Sequence, residues 1–480
     1  MGQDSKFNKV MGVKDIIVIA FGAMIGWAWV VNTGDWIGTA GFMGTVIAFL
    51  IGGTMVVFVS FTYAELTSAM PQCGGEHVFS YRAMGPVGSF ICTWAIILGY
   101  VAVAAFEAAA LPTVVTYIFP NFNQVYLYSV AGYDIYLTSV VFGVAMALII
   151  MLINLAGVKM AANLQTILTA FIAAVGILLV AASAINGDAE NLMSQFWCSS
   201  ESGESTISSI FKVACMTPFL FMGFDIIPQA AEEINVPYRK MGRVMVASIL
   251  LGIVWYLLIV FAVCYIMPSS VMDEEMASQT GLVTAKAMEL AFNSAAMSNV
   301  LIIAGICGII TTWNSFLLGG SRALYSMGES LMLPEIFGKL GKRKTPVAAT
   351  ILVGVCCMIA PFFGRGVLTW MVDTSSFGCV VAYLMVAISF VILRFKEPEM
   401  KRPYKVKKGK VVGMIAVVMA AFMTSLYILP FDYCATLVWQ EWVIVGAWAL
   451  LGVFFFFFSK KKYGKDFARN IIVDPDKELM

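Results

Sequence analysis

The stretch Gly22-Ala23-Met24-Ile25-Gly26-Trp27-Ala28 lies in the middle of an apolar segment, and so does the stretch Thr217-Pro218-Phe219-Leu220-Phe221-Met222-Gly223-Phe224-Asp225. Glycine and proline weaken a helix. Lipid cannot satisfy the backbone groups that an interrupted helix exposes, so such interruptions persist only where protein or a cavity receives them. The two stretches therefore predict a pocket near the middle of a membrane, formed where two interrupted helices meet.

The composition indicates a membrane protein. Hydrophobic residues make up 60% of the chain, charged residues only 12%, and the mean hydropathy is +0.87, which is not typical of a soluble domain. A helix that crosses a bilayer needs about 20 apolar residues. Twelve candidate spans begin near Asp15, Phe42, Gly88, Tyr136, Met160, Ser208, Arg243, Ser294, Val347, Val367, Val411 and Trp439. We therefore predict an all-α membrane protein with twelve transmembrane helices, and we expect the first span to be retained because no cleavage pattern follows it.

The basic residues predict the orientation. With the N-terminus inside and the spans alternating, only Lys212, Lys286 and Arg365 of the 30 basic residues fall on the outer side. Cytoplasmic loops carry an excess of lysine and arginine, and a missed span would exchange the sides of every later loop. We therefore expect both termini in the cytoplasm and the protein in the plasma (inner) membrane. The net charge of +1 gives no indication of nucleic-acid binding, since the basic residues are spread along the membrane boundary.

The order of the spans predicts an inverted repeat. The predicted segments are a cytoplasmic N-terminus (1–14), a first five-helix repeat (15–184), an outer loop (185–207), a second five-helix repeat (208–395), a cytoplasmic connection (396–410), two accessory helices (411–458) and a cytoplasmic C-terminus (459–480). Because each repeat has an odd number of helices, the second repeat enters the membrane from the opposite side to the first. Its first helix then corresponds to the first helix of the chain, and these are the two interrupted helices.

Four further stretches resemble the amino acid/polyamine/organocation (APC) permeases. The first runs Met70-Pro71-Gln72-Cys73-Gly74-Gly75-Glu76-His77 and continues at Ala83-Met84-Gly85-Pro86. The others are Ala231-Glu232-Glu233-Ile234-Asn235-Val236-Pro237, Ser321-Arg322-Ala323-Leu324-Tyr325 with Leu333-Pro334 and Thr345-Pro346-Val347, and Arg402-Pro403-Tyr404. Their order and spacing cover most of the chain. The resemblance implies the LeuT/APC-type fold, with two inverted five-helix repeats and two accessory helices, and transport of amino acids or related amines by alternating access.

The resemblance also assigns roles to the two interruptions. An amino acid brings a carboxylate and an ammonium into the membrane, where an unpaired charge costs several kcal/mol. Free N–H groups suit the carboxylate and unpaired carbonyls suit the ammonium. By resemblance, the substrate site uses the amides of Gly26, Trp27 and Ala28, the carbonyls of Met24, Phe219 and Met222, and Gly223. The alternative is that these glycines only permit tight helix packing.

Trp27 departs from the family pattern. Many relatives have a small hydroxyl residue and then glycine where this chain has Trp27-Ala28. An indole there occupies volume that a ligand would use, so we predict a small or flat substrate. Trp29 follows closely, and one possibility is that the two indoles form an aromatic wall able to contact a cation. The other is that Trp27 packs sideways against a neighbouring helix.

Two acidic residues fall within predicted spans. Asp225 directly follows the second interruption, where relatives also often have an acid, and its carboxylate can bind a cation, take a proton or hold a gate shut. Glu107 lies within the third span, with small residues on its helical face. An acid inside the membrane is a functional hypothesis by default, although a protonated glutamate bonded to a backbone carbonyl is the alternative for Glu107. With no basic residue assigned to the interior, we expect an amine-bearing substrate, a coupling cation or protons, and not an acidic amino acid.

The sequence leaves the coupling ion open. Some relatives that use protons or exchange carry a lysine in the fifth helix, and alignment from Gly157-Val158-Lys159 puts Ile172 at that position. Thr311 and Thr312 in the eighth span could donate hydroxyl oxygens to Na+, although threonines in membrane helices often bond to their own helix. Proton coupling through Asp225 or Glu107, or exchange without any ion, stays open as well.

Enzyme chemistry is not indicated. The sequence shows no nucleotide-binding loop, hydrolase triad or metal-ligand spacing, and we expect no cofactor and no metal. We predict a secondary active transporter of small amino acids or related organic amines that is coupled to H+ or works as an exchanger. The alternatives are a Na+-coupled carrier of the same substrates, and a passive pore or nontransporting amine sensor on the same fold. The sequence does not decide the oligomeric state or whether Cys198 and Cys434, in predicted outer loops, form a disulfide.

Overall fold

Helices form most of the regular structure in this computed structural model, which describes residues 6–130, 132–197, 205–278, 281–429 and 437–471. The helices are α1 (Val13–Met24), α2 (Ala28–Val31), α3 (Thr33–Ala69), α4 (Glu76–Ile118), α5 (Leu137–Ala156), α6 (Val158–Asn186), α7 (Ala189–Ser194), α8 (Thr206–Leu220), α9 (Ile226–Gln229), α10 (Tyr238–Ile266), α11 (Ser269–Ala277), α12 (Val283–Phe292), α13 (Ala295–Glu329), α14 (Val347–Ile359), α15 (Gly364–Lys396), α16 (Gly409–Ile428) and α17 (Trp439–Tyr463). A short antiparallel hairpin of β1 (Tyr126–Val130) and β2 (Tyr133–Tyr136) connects α4 to α5. Cys198 and Cys434 lie outside the described residues.

Several helices are suited to crossing a bilayer. Within the described ranges, nine helices are long and apolar enough to do so: α3, α4, α5, α6, α10, α13, α15, α16 and α17. Two more, α8 and α14, are apolar but shorter. A length of about 20 residues at 1.5 Å per residue spans the ~30 Å hydrocarbon core. The structure therefore confirms an all-α protein that is embedded in a membrane through several helices.

Both predicted interruptions lie where a helix ends. α1 stops at Met24, Ile25 leaves helical geometry with φ −93° and ψ 45°, and α2 begins at Ala28. α8 stops at Leu220, Gly223 has a φ of 134°, and α9 begins only at Ile226. A positive φ of this size strains any residue with a side chain. Glycine therefore lets the chain turn sharply between the two halves of the second interrupted helix.

Two other glycines explain why some helices begin earlier than the predicted spans. α3 contains Gly41 with a φ of 71°, and α4 contains Gly85 with a φ of 76°, and neither residue has helical geometry. The spans predicted from Phe42 and Gly88 follow these kinks directly. The stretch of α3 before Gly41, which begins at Thr33, overlaps the end of the span predicted from Asp15, whereas the stretch of α4 before Gly85, which begins at Glu76, contains polar residues and precedes the span predicted from Gly88.

The interrupted helices lie within the helix assembly. α1 contacts α6, α10 and α13, while α8 contacts α3. α4 packs along both α13 and α15, and α3 packs along α10. α16 lies against α15 and α3, and α17 lies at the periphery against α15 and α4. The two interruptions are consequently enclosed by neighbouring helices, as an interruption within a membrane requires.

Candidate binding site

The interruption after α1 lies directly against α13. A methyl group on Gly26 would come within 2.5 Å of Thr312 Oγ1, and one on Gly308 would come within 2.5 Å of the Gly26 carbonyl oxygen. Glycine at both positions lets the two backbones approach each other this closely. In the part of the chain that the structure describes, the amides of Gly26, Trp27 and Ala28 have no hydrogen-bond acceptor. Unpaired N–H groups therefore lie at the start of α2, as expected at a helix N-terminus.

The second interruption meets the first. A methyl group on Gly223 would lie 2.6 Å from Cβ of Ala23 and 3.1 Å from the carbonyl oxygen of Ala20. The turn between α8 and α9 thus packs against the last turns of α1. Tyr256 of α10 also reaches this point, since its hydroxyl donates a hydrogen bond of 2.7 Å to the Met24 carbonyl. That carbonyl keeps a second lone pair for another donor.

A cavity of about 330 Å³ opens between the two interruptions. α1, α2, α4, α8, α10, α13 and α15 contribute to its lining. Eight of the residues predicted from the sequence line it: Met24, Gly26, Trp27, Ala28, Glu107, Phe219, Met222 and Thr312. A volume of this size lies at the small end of the range for ligand pockets, which is about 300–1,000 Å³.

Glu107 is the one carboxylate in the lining of this cavity. Its side chain is buried, with 4% exposed, and its Oε2 atom has no hydrogen-bond partner among the described residues. Its Oε1 atom lies 3.8 Å from the point that a methyl group on Gly26 would occupy. The predicted alternative, a glutamate bonded to a backbone carbonyl, has no counterpart among the described hydrogen bonds. Leaving a buried carboxyl group unpaired is costly. A hydrogen-bond donor or a cation bound in the cavity would therefore stabilise the Glu107 carboxyl group.

Trp27 both faces the cavity and packs against a neighbouring helix, whereas Trp29, predicted beside it in an aromatic wall, does not line the cavity. Its indole lines the cavity and stacks on Tyr117, with ring centroids 6.3 Å apart and planes inclined by 20°. The same indole packs against α13, where a methyl group on Gly305 would come within 2.1 Å of it. The glycine thus provides the space that the indole fills. Trp27 and Tyr117 together form an aromatic wall at this part of the cavity.

Gly223, Asp225 and Thr311 do not line the cavity. Asp225 is fully buried behind the second interruption. It accepts hydrogen bonds from the Tyr100 hydroxyl at 2.6 Å and from the Gly223 amide at 2.8 Å. The Tyr100 contact ties α4 to the turn between α8 and α9, and the Gly223 contact lies within that turn. In this conformation Asp225 therefore connects the interrupted helix to α4 and does not face the cavity.

The two threonines of α13 face the end of α1. The Thr311 hydroxyl donates to the Gly22 carbonyl at 2.9 Å and lies at the same distance from the Gly308 carbonyl, and the Thr312 hydroxyl donates to the Ala23 carbonyl at 3.1 Å. Hydroxyl and carbonyl oxygens from two helices are therefore close together at the point where α1 ends. Such hard oxygen atoms are the ligands that alkali and alkaline-earth cations prefer.

Tyr100, Tyr117 and Tyr256 were not among the residues predicted for the site. Tyr100 has a signal in the sequence, because it lies seven residues before Glu107 and so shares a face of the same helix. Tyr117 follows Glu107 by ten residues, a spacing that turns it about 80° away, so it has none. Tyr256 has no such signal. It belongs to α10, more than 200 residues away from Met24, and only the packing of α10 against α1 brings the two together.

The fold and the cavity define a multi-pass helical membrane protein with a ligand-sized site between its interrupted helices. A family model described as amino acid permease matches residues 11–457. The chain belongs to this amino acid permease family, within the APC superfamily, and thus to a class of permeases and not of enzymes.

Similar proteins include several bacterial transporters. The methylthioribose transporter of Bacillus subtilis (strain 168) is 24% identical over 460 residues, which cover 95% of this chain and 94% of that protein. The branched-chain amino acid permease BcaP of the same organism is 24% identical, covering 96% of this chain and 95% of that protein. Its aspartate-proton symporter is 22% identical, covering 88% of this chain and 80% of that protein.

Proposed function

We propose that this protein is a secondary active transporter that moves small amino acids or related organic amines across a membrane by alternating access. One observation carries the proposal: unpaired backbone amides and an unpaired buried carboxyl group line the same cavity. The amides of Gly26, Trp27 and Ala28 suit a carboxylate, and Glu107 suits an ammonium. A zwitterion would satisfy both groups at once.

The size of the cavity favours a small substrate. Its volume of about 330 Å³ is already reduced by Trp27, whose indole and the ring of Tyr117 close one wall. The names of the relatives include substrates of several kinds, namely branched-chain amino acids, aspartate and methylthioribose. The carboxylate of Glu107 argues against an acidic side chain, since two like charges would share a buried site.

We propose a topology of twelve spans. The nine long helices supply nine of them, and α1 with α2, α8 with α9, and α14 supply three shorter ones. In this arrangement 15–184 and 208–395 are two inverted five-helix repeats, α16 and α17 are accessory helices, and both termini lie in the cytoplasm. The location of the interruptions in the first helix of each half supports the repeat.

We propose that coupling uses H+ or exchange of substrates. Two acidic residues are candidates for carrying a proton. Glu107 has no described hydrogen-bond partner, and Asp225 accepts hydrogen bonds from Tyr100 and Gly223. The position where some relatives carry a lysine is Ile172, which is fully buried. A Na+-coupled carrier is the second candidate, and the oxygen atoms of Thr311 and Thr312 beside the end of α1 favour it.

Reconstitution tests these alternatives. The purified protein is placed in liposomes and offered a mixed pool of amino acids and amines, with H+ and Na+ gradients imposed separately. We expect saturable uptake, stimulation when substrate is loaded on the opposite side, and dependence on the H+ gradient or on internal substrate. Dependence on Na+ alone would favour the second candidate. Flux that does not saturate would indicate a pore, and binding without accumulation would indicate a sensor, and either result would contradict the proposal.

A further inference from the structure

Basic side chains surround a concave site at the start of α16. The site has a volume of about 520 Å³ and is lined by Arg394, Lys405, Lys407, Lys408 and Lys410. The four lysines are exposed, and no described carboxylate lies within ion-pair distance of them. Four lysines without an acidic partner around one concave surface create a strong positive potential, which favours an anionic ligand.

The segment that carries these lysines is fixed to the helix assembly. Glu65 of α3 is fully buried and forms ion pairs with Arg394 and with Arg402, the latter at 2.9 Å. Its Oε2 atom also accepts a hydrogen bond of 2.7 Å from the Val406 amide. The backbone of Tyr404 is also attached to α3, because its amide donates a hydrogen bond of 3.1 Å to Ser68 Oγ. The two arginines take up the charge of Glu65, so the positive charge of the lysines is not offset.

The backbone adds unpaired donors at the same place. α16 begins at Gly409, and its first hydrogen bonds are those from Val411 and Val412 to the Lys408 carbonyl. A methyl group on Gly409 would lie 2.3 Å from the guanidinium carbon of Arg394, so glycine lets this guanidinium lie against the helix start. The Arg394 Nε atom is buried and has no partner among the described residues. Because α16 begins beside these side chains, the positive end of its helix dipole adds to their positive electrostatic potential.

An apolar surface continues directly from the basic site. Val411, Met414 and Val418 are 57%, 53% and 65% exposed, and their spacing of three and four residues puts them on one face of α16. Phe395 is 61% exposed, and the Lys410 ammonium lies 4.3 Å from the centre of its ring. The surface thus changes from cationic to apolar along the direction in which α16 enters the membrane.

We propose that the start of α16 binds the phosphate headgroup of an anionic phospholipid. The lysines, Arg394 and the first amides of α16 bind the phosphate, and the acyl chains lie along Val411, Met414 and Val418. A free phosphate ion would use only the basic half of this surface, whereas a phospholipid uses both halves. Juxtamembrane clusters of four to eight basic residues are typical of sites for anionic lipids.

Native mass spectrometry of the full-length protein tests the proposal. Phosphatidylglycerol and phosphatidylcholine with identical acyl chains are added separately, and bound lipids are counted. We expect the unmodified protein to retain phosphatidylglycerol preferentially. Each lysine near an anionic headgroup raises the affinity about fivefold, so we expect a loss of about 600-fold in the variant K405Q/K407Q/K408Q/K410Q.

The matched control removes four exposed lysines at the end of the other accessory helix, α17, in the variant K460Q/K461Q/K462Q/K465Q. It should keep the preference for phosphatidylglycerol. Equal retention by both variants, or equal loss in both, would overturn the proposal. Displacement of the phospholipid by inorganic phosphate alone would assign the site to free anions and would overturn it too.

A second measurement does not depend on folding of a variant. The unmodified protein is placed in nanodiscs of phosphatidylglycerol or of phosphatidylcholine, and the acetylation rates of individual lysines are measured by peptide mass spectrometry. Lys405, Lys407, Lys408 and Lys410 should be protected at least severalfold more by phosphatidylglycerol than the lysines at 460–462. Equal protection of the two groups would contradict the proposed site.

Discussion

Replacing Glu107 by glutamine tests the proposed ammonium site most directly. Glutamine keeps the size of the side chain and removes only the charge. Glu107 Oε2 is buried and has no partner among the described residues, and a hydrogen bond to a charged group contributes about 1.5–3 kcal/mol. Since 1.4 kcal/mol corresponds to a factor of ten, the affinity for an amine-bearing substrate should fall about 10- to 150-fold.

The same change should not destabilise the protein. The variant replaces a buried carboxyl group that lacks a partner with a neutral amide, which is cheaper to bury. We therefore expect the midpoint of thermal unfolding without substrate to stay the same or to rise. This outcome separates loss of binding from loss of fold, because a merely structural role of Glu107 would lower the unfolding midpoint together with the affinity.

Equilibrium binding of a radiolabelled substrate, chosen from the uptake screen, measures the effect. The matched control is Glu190→Gln, which removes an equal charge from the exposed helix α7 and should bind as the unmodified protein does. Unchanged affinity in Glu107→Gln would refute the assignment of the ammonium to this carboxylate. If affinity were unchanged while the pH dependence of uptake disappeared, Glu107 would carry a proton instead.

Three other substitutions test the geometry of the cavity. Gly26→Leu should abolish uptake, because even a methyl group there comes within 2.5 Å of a hydroxyl on α13. Gly446→Leu should transport normally, because a methyl group there would meet no described side chain within 4 Å. Gly305→Ala should raise the KM severalfold by displacing the indole of Trp27, from which its methyl group would be only 2.1 Å away; an unchanged KM would show that this indole does not limit the cavity. Tyr256→Phe removes a hydrogen bond of 2.7 Å and should cost about 1 kcal/mol of stability, read from the midpoint of thermal unfolding; no change there would show that the bond contributes nothing to stability.

The helix interruptions were predictable because their cause is local. Gly223 adopts a φ of 134°, which a residue with a side chain rarely does, and Pro218 lies just before the end of α8. The family motifs were recognisable for a similar reason, since short runs of glycine, proline and charged residues keep their order along the chain. These signals sufficed to predict an all-α membrane protein of the permease family.

Hydropathy and backbone preference depend on neighbouring residues, so the order of residues was enough to predict the membrane class, the family and the two places where helices stop. Which of the candidate residues face one cavity depends on how the helices pack. Glu107 and Thr312 line it, whereas Asp225 and Thr311 do not, and Tyr256 reaches Met24 from a distant helix. A helix's own periodicity says which residues share a face. The rotation of that face toward its neighbours is set by the packing of side chains from the whole assembly.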